Sequence, residues 1–268
     1  MSENTKIDFK KMFKDSIKNI KNPNNLVGYF YSIAWYFICT IILSSIIYII
    51  FLDSNFLVDD SNSEQLSNFG LSLLNFLLYI ILLIPMLFFL KTNINRDLLL
   101  TKSLKFKIIG YTVSGYLYVL FGTFISQIIV SIFEGLFSVS YDVSVNQIAV
   151  ESMLSNNNPV IGQFLLILSV VIIGPIVEEL VFRKAIFGLI KSNMFAIILS
   201  SIFFALIHVS NEIMNNSLSV IFISGIPYFV LGCVFGFIYL RFNKNIIIPI
   251  FVHMLSNLIS IFLILSMR

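Results

Sequence analysis

The chain has 268 residues, 58% of them hydrophobic and 12% charged, with a formal net charge of +3. A soluble domain carries roughly 45–50% apolar and about 25% charged residues. This composition therefore excludes folding around one aqueous core and predicts an all-α, polytopic membrane protein. The small net charge leaves no electrostatic footprint for nucleic acid. Cys39 and Cys233 each lie inside an apolar run and give no disulfide framework.

Residues 1–25 are polar and carry six lysines. Phe9, Met12, Phe13, Ile17 and Ile20 fall on one helical face with lysines on the other, which predicts an amphipathic helix lying on the cytoplasmic leaflet. The next apolar run is far longer than the about 7–15 residues of a signal-peptide core, so it reads as a first anchor. Crossing the hydrocarbon takes about 20 apolar residues. Seven segments are candidate spans: Leu26–Leu52, Phe69–Leu90, Ile108–Phe133, Val160–Ile190, Met194–Val209, Leu218–Leu240 and Ile246–Ser266. The fifth is short, and six to eight spans are compatible with the pattern.

The connecting segments alternate in charge. Segments 1–25, 91–107, 183–191 and 241–244 hold all of the 17 Lys and Arg residues except Arg268, whereas 53–68, 134–159 and 210–217 hold none. Basic residues mark the cytoplasmic side, so the N-terminus is expected inside and the C-terminus outside. The chain divides into a basic segment 1–25, N-terminal transmembrane helices over 26–159, and a helical core over 160–268.

The fourth span contains "VEELVFRKAIF", with Glu178, Glu179, Arg183 and Lys184 inside seven residues. A charge at the bilayer centre costs about 2.5–3.5 kcal/mol on insertion scales, and such residues mark functional sites unless a partner explains them. Glu179 and Arg183 stand at i,i+4 with the acid first, the favourable order for a pair. Lys184 points about 100° round the helix from Arg183 and is expected to snorkel to the cytoplasmic interface. The remaining spans add His208 in "FFALIHVS" and His253 in "FVHMLSN", the only two histidines. Phe204 precedes His208 at i−4, and Asn257 follows His253 at i+4, so each pair shares a helix face. Glu178 precedes Lys191 by 13 residues and His208 follows Asn193 by 15. At about 1.5 Å per residue both lie roughly 20 Å from the intervening turn, level in an antiparallel hairpin. Gly174 and Pro175 allow a kink just before the glutamates. Isolated Tyr and Ser residues in the spans read as background.

A carboxylate in a low-dielectric cavity serves as a general base toward water. Histidine and an Asn amide can donate to a developing oxyanion. The same His and Glu side chains also suit a hydrolytic zinc ion with an open position, for which Glu178, His208 and His253 are the available ligands. Either route ends in activated water attacking a carbonyl. The rival class is a non-catalytic scaffold or a transporter, which buries similar polar groups. A transporter more often shows broken helices in two repeated halves, whereas this polar set is confined to the last 40% or so of the chain.

The series Glu178-Glu179-x-x-x-Arg183, Phe204-x-x-x-His208 and His253-x-x-x-Asn257 resembles the motifs of the CAAX protease and bacteriocin-processing (CPBP, or Abi) family of intramembrane proteases, which includes the type II CAAX prenyl endopeptidases. The likeness covers about Val160 to Ser266. It implies an endopeptidase with its cavity open to the cytosol. Glu178 would activate water with help from His208. His253 and Asn257 would form the oxyanion site. Glu179 and Arg183 would support it, and Phe204 would contact substrate. The family is often called metallopeptidase, yet a metal-free glutamate mechanism is also argued, and the lack of HExxH here favours the metal-free form. The Asn/Ile/Lys bias resembles that of a Gram-positive bacterium. The resemblance then implies a multi-pass plasma-membrane protein acting on a small peptide or membrane-anchored substrate, in bacteriocin or pheromone maturation or in immunity.

Overall fold

The computed structural model describes residues 25–54, 57–59, 62–139 and 144–267. The amphipathic helix expected over 1–25 lies outside them except for Asn25. The first span, α1 (Leu26–Leu52), is capped by Asn25, whose side-chain oxygen accepts from the Gly28 amide at 3.0 Å. The same Asn25 amide donates to Phe89 O (2.7 Å) and Asn93 Oδ1 (3.0 Å), tying the helix start to a distant corner of the chain. A π-helical turn, Cys39–Leu43, interrupts α1 midway.

A short antiparallel ribbon, β1 (Val58–Asp59) with β2 (Asn62–Leu66), follows. Among the described residues it is the only departure from helix as regular structure. Ser67 caps α2 (Asn68–Phe89) by accepting from the Gly70 amide at 3.1 Å. The segment expected as a cytoplasmic loop is instead largely helical: α3 (Lys91–Leu104) is separated from α2 by Leu90 alone. Its apolar and polar residues alternate by turn, and Asn93, Arg96, Asp97, Leu100 and Leu104 face inward. Lys105, at φ 49°, stops it. The third span is α4 (Lys107–Phe137), and the loop beyond it carries a further short helix, α5 (Val145–Met153).

The charged span is α6, Val160–Leu189, in which two π-helical stretches, Leu168–Ile173 and Leu180–Ala185, flank the α turn Gly174–Glu179. Pro175 lacks an N–H, so the regular ladder cannot run through this turn. Single π turns of this kind absorb such a mismatch and recur at functional sites. Four helices complete the chain: α7 (Asn193–His208), α8 (Ser210–Asn215), α9 (Leu218–Arg241) and α10 (Ile247–Ser266).

The architecture is all-α and polytopic. Six helices are long and apolar enough to cross a membrane, and they match six of the expected spans to within a few residues. The other, α7, has 16 residues, about 24 Å of helix. It runs along α9, while α4 packs on α9 and α10, and α1 and α2 pack on α6. The main core therefore surrounds the charged turn. Tyr36, Leu82 and Met86 from the first two spans meet Val177, Phe182, Phe204 and Tyr239.

Candidate active site

The turn Gly174–Glu179 and the π stretch after it bury all four charges of α6. Glu179 and Arg183 are each 0% exposed and form an ion pair at 3.1 Å. Arg183 Nη2 also donates to Gly232 O on α9 at 3.2 Å. That reach depends on a close approach between α7 and α9, where a Cβ added at Gly232 would stand 2.8 Å from Ser201 Cα. The guanidinium lies 4.9 Å from the Phe204 ring centroid and 5.3 Å from that of Phe235, a cation held between two aromatic faces.

Glu179 Oε1 also accepts from His253 Nδ1 at 3.1 Å. A carboxylate only accepts, so this bond fixes the imidazole proton on Nδ1 and turns Nε2 the other way. Nε2 lies 3.8 Å from Glu178 Oε2. The His253 ring is held flat against Phe235, with centroids 4.6 Å apart. Glu178 Oε1 accepts from the Tyr79 hydroxyl at 3.1 Å, while Oε2 is buried with no hydrogen-bond partner. Buried polar atoms are normally satisfied; this oxygen is left with an unmet demand, as is Glu179 Oε2 behind it.

His208 belongs to the same cavity. Its Nδ1 donates to the Phe204 carbonyl at 2.8 Å, and its ring lies between Phe204 (4.3 Å) and Tyr228 (4.6 Å). It makes no ion-pair contact with Glu178 among the described residues; the imidazole opposite Glu178 is that of His253. Asn257, one turn beyond His253, donates from Nδ2 to Val170 O at 2.8 Å. That carbonyl lies in the first π stretch of α6. Glu178, Phe204, His208, His253 and Asn257 all line one cavity of about 680 Å³, whereas Glu179 and Arg183 lie behind its wall. Among the described residues no three His, Cys, Asp or Glu side chains gather closely enough to hold a metal ion. Glu178, His208 and His253 as placed do not fit a shared metal.

Lys184 departs from expectation. Instead of reaching the interface it is 2% exposed and paired with Asp97 of α3. Asp97 Oδ2 also accepts from the Ile246 amide at 3.1 Å, and Asn245 Nδ2 donates to Asp97 O at 3.3 Å. This knot joins α3, α6 and the start of α10. The signal was in the sequence: Asp97 is the one acid within the basic segment 91–107. Tyr79 gave none, being one of 11 tyrosines with no neighbour to mark it.

Residues 160–259 match the family model described as type II CAAX prenyl endopeptidase Rce1-like. The chain is also similar to the membrane-embedded CAAX protease MroQ of Staphylococcus aureus (strain USA300), at 39% identity over 95 residues. A second relative is YdiL of Bacillus subtilis (strain 168), named as a membrane peptidase, at 37% identity over 89 residues. These matches cover 32% of this chain in both cases, and 34% and 32% of the relatives, so the chain spans about a third of the length of the curated proteins it matches. No solved structure matches it. The resemblance carried by the glutamate and histidine motifs thus agrees with the family match over the same C-terminal stretch.

Proposed function

We propose that this protein is an intramembrane endopeptidase in which Glu178 activates a water molecule against a peptide carbonyl. The observation that carries the reading is the unpartnered Glu178 Oε2, buried at the cavity wall 3.8 Å from His253 Nε2. A water bonded to both atoms at ordinary distances of about 2.8 Å closes a triangle on that edge. The carboxylate takes the water proton as hydroxide attacks the carbonyl carbon, and the proton then passes to the departing amine. Glu179, itself neutralised by Arg183, fixes the tautomer of His253. Asn257 has one N–H on Val170 O and a second free for the oxyanion. His208, with Nδ1 committed to Phe204, offers Nε2 as a second proton-transfer group. Phe204 forms part of the substrate wall.

The cavity volume falls within the roughly 300–1,000 Å³ of small-ligand pockets. It suits a short extended segment of a small peptide or membrane-anchored chain, in the role of bacteriocin or pheromone maturation or of immunity. The test compares peptides released by membranes carrying the wild type and Glu178→Gln. Loss of the base lowers cleavage about 10²–10⁴-fold while insertion is kept. Identical peptide profiles would instead favour a scaffold. Exhaustive chelation leaves cleavage intact; loss on chelation with recovery on added zinc would replace the bare-glutamate mechanism with a metal one.

A further inference from the structure

The direction in which the cavity opens follows from two independent patterns. The first is the placement of its lining. On α6 the lining residues are Leu166, Val170 and Glu178, all N-terminal to the turn that leads into α7. On α10 the lining begins at His253 and continues through Ser260 and Ile264 to Met267, past the helix end. The rim is α5, which supplies Asn146, Gln147 and Glu151. Its start is fixed there: Ser144 Oγ lies 2.9 Å from the hydroxyl of Tyr228, the residue stacked on His208, and the Val145 amide donates to Glu212 at 2.9 Å. No lining residue comes from 91–107, from the α6–α7 turn or from 241–246.

The second pattern is charge. The connections that the cavity avoids carry the basic residues outside the buried cluster, Lys91, Lys102, Lys105, Lys107, Lys191, Arg241 and Lys244, while 53–68, 134–159 and 210–217 contain no Lys or Arg. The α5 rim belongs to the second set. Basic connections are retained on the cytoplasmic side, so the mouth lies on the opposite face. From His253 to Met267 the lining follows 14 residues of chain, about 21 Å if helical throughout. The lining therefore runs from Glu178 toward the other surface.

We infer that the cavity opens at the extracytoplasmic face, so that the substrate is a peptide segment presented there, after or during export, and not a cytosolic chain terminus. This is the reverse of the cytosolic opening that the family resemblance implies, and its substrate clause rests on the peptidase reading above. The acidic and amide groups of the rim, with no basic residue among them, suit a neutral or cationic segment.

The test uses the full chain with Cys39→Ser and Cys233→Ser, in right-side-out vesicles, treated with a membrane-impermeant maleimide. Gln147→Cys and Ile264→Cys are expected to label at once, and Lys102→Cys and Arg241→Cys only after permeabilisation. The opposite pattern overturns the orientation. A bulky polyethylene-glycol maleimide coupled from outside to Gln147→Cys is then expected to abolish release of the peptides that depend on Glu178, relative to the same variant left unlabelled. Coupling with undiminished release overturns the entry route. Vesicles in which Glu178→Gln alters no peptide sink the peptidase reading instead, while the labelling pattern still decides the orientation.

Discussion

At the residue scale, each buried charge of α6 has a different partner, and the partner determines what its loss does. Lys184→Ala leaves buried Asp97 with only Arg96, at 3.1 Å, and the Ile246 amide as partners, and breaking one side of a buried pair costs up to about 3–5 kcal/mol. Detergent-solubilised Lys184→Ala is therefore expected to unfold at markedly lower temperature than wild type. Adding Asp97→Ala recovers only part of the loss, because Asp97 also holds the Ile246 amide. A wild-type melting curve for Lys184→Ala would mean the pair does not form. Tyr79 tests a different dependence. Tyr79→Phe keeps the ring in place and removes the hydroxyl from Glu178 Oε1. A hydrogen bond to a charged group contributes about 1.5–3 kcal/mol to stability, so the melting curve is expected to shift down modestly, and cleavage to fall further than that shift explains because Glu178 loses its positioning. A fully active Tyr79→Phe would show that Glu178 needs no positioning from the second span.

At the element scale, the α7–α9 contact sets where Arg183 can sit. Gly232 has no room for a methyl group, since the obstruction at 2.8 Å is the Ser201 backbone and not a movable side-chain tip. Small residues at such crossings let membrane helices approach closely. Gly232→Ala is expected to cost about 1–3 kcal/mol from overpacking and to lower activity by moving the carbonyl that holds Arg183. Gly225, seven residues earlier on the same helix, meets nothing within 4 Å. Gly225→Ala should be neutral or slightly stabilising through helix propensity, worth up to about 1 kcal/mol. Thermal unfolding of the two variants side by side separates crowding from any general intolerance of α9 to alanine; equal effects would remove the argument.

At the scale of the whole molecule, the matched stretch 160–259 does not carry its own surroundings. Tyr79 on Glu178, Asp97 on Lys184, and the Tyr36 and Met86 packing around Val177 and Phe182 all come from residues before 160. Residues 160–268 made alone are therefore expected to be inactive and unstable, and co-expression with 1–159 to restore Glu178-dependent cleavage. An active isolated fragment would show the first half to be dispensable. The sequence alone determined the helical class, the six long apolar helices, the shorter apolar helix α7 and which polar residues lie within these helices: Glu178, Glu179, Arg183, His208, His253 and Asn257. It did so because the bilayer penalises every unpaired polar group, which makes apolar runs and the few charges inside them legible without any knowledge of contacts. Only the tertiary structure decided that His253 and not His208 faces Glu178, that Asp97 claims Lys184, and that Tyr79 reaches the site from 99 residues away. Helical periodicity states which residues share a face; which neighbouring helix that face meets is set by how the helices pack, and packing depends on side chains from distant parts of the chain all at once.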